Sequence, residues 1–152
     1  MKDLFNNKKI LVTGHTGFKG SWLSLWLKNL GATVHGLSFD IPSRPSHFNV
    51  ANLSKEINDH RLDIRDAKSL SILVQKIQPD FVFHLAAQAL VRPSYENPLD
   101  TMATNALGSA NLLNALRHLD KPIVAIMITS DKAYDNAEWV WGYRETDRLG
   151  GN

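Results

Sequence analysis

The apolar run Ile10-Leu11-Val12-Thr13 feeds directly into Gly14-His15-Thr16-Gly17-Phe18-Lys19-Gly20, and a helical periodicity begins inside that glycine stretch. No other feature of the chain narrows its folding options as far. A continuous apolar strand is the kind covered on both faces of a parallel sheet; a sheet covered on one face shows alternation. A glycine turn leading from such a strand into a helix gathers unpaired helical N–H groups and the positive dipole end at one spot. A pyrophosphate is stabilised there. In this reading Gly14 permits the tight turn, Gly17 lets the backbone approach the phosphates, and Gly20 lets helix pack on strand. Thr16 and Phe18 complete the loop. The G-x-x-G-x-x-G spacing is one residue longer than the G-x-G-x-x-G fingerprint.

The rest of the chain repeats the strand–helix alternation. Phe18, Trp22, Leu23, Trp26, Leu27 and Leu30 recur at three and four, predicting a helix over 18–30 that Gly31 stops. A second strand is expected over 32–39, ending at Asp40, followed by a loop over 41–46 whose two prolines bar a central strand. His60 to Ile64 reads as a short third strand. Leu70, Leu73, Val74 and Ile77 mark a helix face closed by Pro79, and Phe81 to Leu85 reads as a fourth strand. A helix from about Asp100 to His118 carries Leu107, Leu112, Leu113 and Leu116, and Pro122 to Ile128 is the fifth strand. Apolar strands separated by helices, joined by right-handed crossovers, imply an α/β fold with a doubly wound parallel sheet of Rossmann type.

Composition excludes several classes. At 152 residues the chain suits one domain over 1–152, and 43% hydrophobic with 21% charged residues rules out wholesale disorder. No apolar run approaches the roughly 20 residues of a membrane span, and the segment from Met1 to Lys9 has no signal-peptide core. The absence of cysteine excludes disulfides and thiolate metal sites and fits a cytoplasmic protein; no metal site is expected. Seventeen Lys and Arg against fifteen acids are scattered and form no basic stripe, which argues against nucleic acid as a partner.

Other strand ends would face the same crevice, because ligands of such sheets sit beyond the carboxyl ends of the strands at the switch point. Asp40 falls twenty positions after Gly20, where an acid meets the adenosine ribose hydroxyls and repels a 2′-phosphate. This favours NAD over NADP, although Arg44 nearby is a cation able to accommodate that phosphate. Asp63 and Ile64 are placed to receive the adenine, the carboxylate accepting from its amine and Ile64 packing on the ring. Leu85-Ala86-Ala87-Gln88 offers small residues for close backbone approach. Thr129-Ser130-Asp131-Lys132 puts hydroxyls, an acid and a base at the fifth strand's end. Singly, each set also fits a structural turn or ordinary loop polarity. Their occurrence at consecutive strand ends points to a dinucleotide.

Four stretches carry a resemblance. They are Val12 to Trp22, His84 to Arg92, Thr129 to Lys132, and Glu138-Trp139-Val140-Trp141-Gly142-Tyr143-Arg144-Glu145. The chain resembles the extended short-chain dehydrogenase/reductase superfamily and, within it, the CDP-glucose 4,6-dehydratases. The glycine loop and the Leu-Ala-Ala run are shared across the superfamily; Phe-Lys-Gly-Ser-Trp, Ser-Asp-Lys and Trp-Val-Trp-Gly-Tyr-Arg-Glu are specific to the dehydratase. The likeness covers the amino-terminal part of the family's length.

The resemblance implies NAD-dependent conversion of CDP-D-glucose to CDP-4-dehydro-6-deoxy-D-glucose in nucleotide-sugar metabolism leading to the dideoxysugars of O-antigens. It implies that Asp131 protonates the departing C6 hydroxyl, that Lys132 stands where relatives carry the C5 base, and that Ser130 hydrogen-bonds the C4 oxygen. Thr104 stands where relatives place a cofactor contact, while Trp139 and Trp141 fit either core or a sugar-stacking surface. Full-length relatives are implied to be homodimers or larger, through the helix over 100–118.

One expected motif is missing. The superfamily pairs a catalytic tyrosine with a lysine four residues later, but Tyr95, Tyr134 and Tyr143 are followed at that spacing by Leu99, Glu138 and Asp147. The resemblance therefore implies a partial dinucleotide-binding domain without its carboxy-terminal substrate domain, inactive alone, with the fifth strand left as a sheet edge. A sibling epimerase or dehydratase for another nucleotide, and a non-catalytic NAD-binding fragment, remain the alternatives.

Overall fold

The computed structural model describes residues 2–150, apart from the side chains of Lys2 and Asp131. The strands are β1 (Lys9–Thr13), β2 (Thr33–Ser38), β3 (Asn58–Arg61), β4 (Phe81–His84) and β5 (Val124–Met127). They form one sheet, every pair parallel, in the order β3-β2-β1-β4-β5. The helices are α1 (Lys2–Phe5), α2 (Phe18–Asn29), α3 (His47–Val50), α4 (Ala67–Ile77), α5 (Val91–Glu96), α6 (Pro98–Met102) and α7 (Gly108–Leu116). Alternation along the central strands sorts the core onto two faces. Leu11 and Val82 point toward α4 and α7, meeting Leu70, Val74, Leu112 and Leu116. Ile10 and Val12 point the other way, toward Leu27 and Val34. The sheet is thus doubly wound. The chain leaves β1 toward β2 on one side and returns to β4 on the other, so the switch point lies between the carboxyl ends of β1 and β4.

Several elements differ from the sequence expectation. The third strand runs over Asn58–Arg61 rather than His60 to Ile64. Its register against β2, His35 opposite Asn58 through Ser38 opposite Arg61, ends where β2 ends, with the Leu62 amide still donating to the Ser38 carbonyl at 3.2 Å and Asp63 and Ile64 lying beyond the paired strand. In α2 the apolar periodicity misleads. Gly20, Ser21, Ser24 and Leu27 face the sheet, while Phe18, Trp22 and Trp26 are exposed. The small residues allow close approach, and the serine hydroxyls are satisfied by their own helix, Ser24 donating to the Gly20 carbonyl at 2.7 Å. The segment after the proline loop folds into α3, capped by Ser46, whose hydroxyl accepts the Asn49 amide at 3.2 Å.

The helix expected over 100–118 starts at Pro98, ends at Leu116, and carries a π-helical turn over Ala103–Leu107 between α6 and α7. Such turns are favoured where a helix must reposition functional groups. β5 lies at the sheet edge, with Val124 50% and Ile126 38% exposed.

Candidate functional site

Every strand being parallel, the loops after β1, β2, β4 and β5 emerge on one edge of the sheet. Thr13, His84 and Met127 stand abreast there. The cradle is built first. Gly14 has φ +73°, and a Cβ on it would lie 2.7 Å from the Leu85 carbonyl carbon. A Cβ on Gly20 would run into the Gly14 carbonyl. Gly17 opens α2 with extended backbone and no side-chain cap. Gly14 and Gly20 let backbone segments approach where no side chain would fit, and the start of the twelve-residue helix at Gly17 has no side-chain cap, an arrangement that fits a diphosphate. Phe18, the first residue of that helix, is 76% exposed.

On the β2 side, buried polar groups tie the glycine loop down. Thr16 donates its hydroxyl to the Asp40 carbonyl at 2.6 Å, and its amide reaches Ser38 Oγ at 3.4 Å. His15 is fully buried, its Nε2 2.8 Å from Asp59 Oδ1 and its Nδ1 3.0 Å from Ser38 Oγ. Burial holds its pKa below the ordinary value, so the imidazole is neutral. A carboxylate only accepts, which assigns the proton to Nε2 and makes Nδ1 the acceptor of the Ser38 hydroxyl. Asp40 is exposed, and its carboxylate makes no hydrogen bond or ion pair among the described residues. Arg44 is exposed as well.

On the β4 side a second buried chain runs sideways. Thr13 Oγ1 accepts the amides of Leu85 at 3.2 Å and Ala86 at 3.1 Å. Its own proton therefore goes to His84 Nδ1, 2.7 Å away. That leaves Nε2–H to donate to Ser109 Oγ at 2.9 Å, and Ser109 donates to the Asn105 carbonyl at 2.7 Å. Burial keeps His84 neutral, its pKa pushed down. The Asn105 side chain then clamps Gln88, accepting its amide at 2.8 Å and donating to its carbonyl at 2.9 Å. Thus Leu85, Ala86, Ala87 and Gln88 are held against β1 at one end and against the π turn at the other. Thr104 sits in that same turn, half-buried.

The loop after β3 separates the two residues expected at an adenine, leaving Asp63 partly accessible and burying Ile64. Asp63 is forked by Arg65 through Nε at 2.9 Å and Nη2 at 2.6 Å, and these bonds hold its carboxyl below the usual range. Arg65 also pairs with Asp100. Ile64 is 5% exposed and belongs to the core, packed beneath Gly108.

After β5, Thr129, Ser130 and Lys132 are exposed, and Ser130 Oγ accepts the Lys132 amide at 3.2 Å. Asp131 opens the 3-10 turn Asp131–Ala133, but its side chain lies outside the described residues. Beyond it, Tyr134 stacks on Tyr143 with ring centroids 5.0 Å apart, and Trp139 packs beside Trp141 at 6.0 Å. Trp141 is 63% exposed, so these rings form a surface ladder rather than core. Among the described residues no cluster of three or more His, Asp or Glu is placed to hold a metal ion, and no helix is long and apolar enough to cross a membrane.

The structure thus brings the glycine loop with Gly14, Thr16, Gly17 and Gly20 and the segment Leu85, Ala86, Ala87 and Gln88 to one edge of the sheet, with Gly14 against Leu85. Sequence reasoning missed His15, Ser38, Asp59, Arg61, His84, Asn105 and Ser109. Their signal was weak: His15, Ser38, Asp59, Arg61 and His84 are polar residues in or beside strands, and Asn105 and Ser109 are polar residues within a helical run, neither marked by any local pattern.

Comparison with known proteins agrees with this geometry. A sequence model of the GDP-mannose 4,6 dehydratase family matches residues 11–151. A CDP-glucose 4,6-dehydratase of Salmonella typhimurium is 48% identical over 99% of this chain and 42% of its own length. A GDP-mannose 4,6-dehydratase of Yersinia enterocolitica is 38% identical over 72% of this chain and 31% of its own length. The UDP-glucose 4-epimerase of Thermus thermophilus, solved in complex with NAD, superposes with a TM-score of 0.80 at 29% identity, covering 94% of this chain and 44% of that one. The chain therefore spans less than half the length of these relatives.

Proposed function

The chain belongs to the GDP-mannose 4,6 dehydratase family, and from that premise we propose that it binds NAD as part of the 4,6-dehydration of CDP-D-glucose. The glycine cradle at the uncapped start of α2, facing the switch point, carries this reading. The 48% identity to the Salmonella enzyme, against 38% to the Yersinia one, favours CDP-glucose over GDP-mannose. The NAD complex of the Thermus relative supports the choice of dinucleotide.

In this reading Gly14, Gly17 and Gly20 hold the diphosphate, with Thr16 and Phe18 beside it. Asp40 takes the adenosine ribose hydroxyls, and Asp63 lies at the adenine, with Ile64 as core support beneath. Leu85 to Gln88, Thr104 and Thr129 line the nicotinamide half. When bound, the nicotinamide supplies the acceptor of the C4 hydride and later its donor to C6. Oxidation at C4 acidifies the C5 proton, so loss of water across C5–C6 needs a base at C5 and an acid at the C6 hydroxyl. Ser130 would hold the C4 oxygen and Asp131 protonate the leaving hydroxyl. Lys132 would serve as base only once desolvated by the bound sugar nucleotide. Exposed Leu99, Met102 and Leu107 on the helix containing the π turn support dimerisation through that helix.

Calorimetric titration with NAD⁺ tests the core of this reading: saturable one-site binding is expected, and a folded sample that binds none overturns it. Because no tyrosine here has a lysine four residues on, the purified chain is expected to make no detectable 4-keto product from CDP-glucose. Product formation by that sample would overturn the expectation.

A further inference from the structure

Arg61 is the cation that reaches the residue expected to choose between dinucleotides. Its Nη1 donates to the Asp40 carbonyl at 3.3 Å. Two more of its five N–H donors go to Asp59 Oδ2, from Nε at 3.3 Å and from Nη2 at 2.9 Å. The guanidinium also lies over the Phe48 ring, 5.0 Å from its centroid. Asp59 is held in turn, its Oδ1 receiving His15 Nε2–H at 2.8 Å. Ser38 and Thr16 close the circuit, since Ser38 bonds His15 and Thr16 bonds both Ser38 and the Asp40 carbonyl. Three segments, the glycine loop, the end of β2 and the end of β3, are thereby locked in one hydrogen-bonded ring around Asp40. Arg44 takes no part in it.

We propose that Asp59, braced by His15, is a specificity-determining positioning residue: it keeps Arg61 occupied, so that the group presented to the adenosine ribose is the Asp40 carboxylate and a 2′-phosphate is refused. This rests on the dinucleotide reading above. An arginine fork matches phosphate geometry, and two donors of Arg61 are tied up by a carboxylate two residues earlier on the same strand face. Neutralising Asp59 loosens that hold and makes Arg61 a phosphate ligand.

The test measures dissociation constants for NAD⁺ and NADP⁺ by calorimetry on the whole chain. Asp59→Asn is expected to tighten NADP⁺ binding about tenfold, the size of one charge-assisted hydrogen bond, with NAD⁺ affinity changed by less than about threefold. Adding Arg61→Met should abolish the gain. Equal weakening of both dinucleotides by Asp59→Asn would mean a merely structural role and overturn the proposal. Arg61→Met alone, which decides the matter should Asp59→Asn not fold, is expected to leave the NADP⁺ to NAD⁺ affinity ratio unchanged. A lowered ratio would show the guanidinium already available and also overturn it. Failure of the unaltered chain to bind either dinucleotide overturns the cofactor reading and this proposal together, whereas the variant results with NAD⁺ binding intact bear on this proposal alone.

Discussion

The two halves of the sheet's carboxyl edge are built by different physics. Around the glycine loop, β2 and β3, buried side chains with defined donor and acceptor roles bond one another, and the backbone is pinned from several sides. Beyond β5 the chain runs exposed, held by main-chain bonds such as Asp135 amide to Arg148 carbonyl at 3.0 Å and by stacked surface aromatics. On the proposed reading the first half is a preassembled binding surface, where ordering costs are met during folding. The second carries Ser130 and Lys132, proposed for the chemistry, exposed just beyond an edge strand. Binding can be complete within a short chain; chemistry of the proposed kind needs surroundings that exclude water.

The sharpest way to break the contrast is Gly20→Ala. Its Cβ would strike the Gly14 carbonyl, and overpacking of about 1–3 kcal/mol at the phosphate cradle should weaken NAD⁺ binding by up to about 100-fold, read by calorimetry.

A paired substitution comes next. Thr13→Val strips the acceptor from two amides and the donor from His84, and should cost about 3 kcal/mol in urea unfolding. Thr129→Val, at the exposed end of β5, should stay within about 0.5 kcal/mol of the parent. Equal losses would erase the distinction between the halves.

Acid should sharpen the contrast further. Burial pushes His35 down to about 4, with His60 and Lys9 adding repulsion. His15, His60 and His84 are lowered as well, burial again leading. Between about pH 6.5 and 4 the unfolded chain therefore binds more protons than the folded one. Stability is complete above that window and falls as pH drops through it. No histidine lies beyond His118, so amide exchange should accelerate first in β1 to β4, and His35→Gln should flatten the pH dependence. Acceleration confined to residues 128–150 would contradict this.

The smallest effect is expected from Tyr143→Phe. Its hydroxyl accepts the Ala137 amide at 2.9 Å and donates to Asn136 Oδ1 at 3.1 Å on an exposed loop. A change of about 0.5 kcal/mol or less is expected, with local exchange faster around Ala137.

Legibility from sequence followed the locality of the physics. The strand–glycine–helix junction was readable because Gly17 and Gly20 answer to neighbours within seven residues, whereas the Leu85 backbone that Gly14 must clear is brought there by the pairing of β1 with β4. The third strand was misplaced because its end is decided by β2, whose last paired residue is Ser38. The inward face of α2 was misread because close packing selected Gly20, Ser21 and Ser24 over the tryptophans.

Local periodicity, turn chemistry and strand character are written in neighbouring residues, and from them alone followed the parallel α/β class, the glycine turn between β1 and α2 and the acid just after β2. Tertiary structure alone decided that His15 meets Asp59, forty-four residues away, and that Thr13 meets His84, seventy-one away. The reason is that a buried polar group must find a partner wherever the fold offers one, and the partner's address is a property of strand order, which no local pattern encodes.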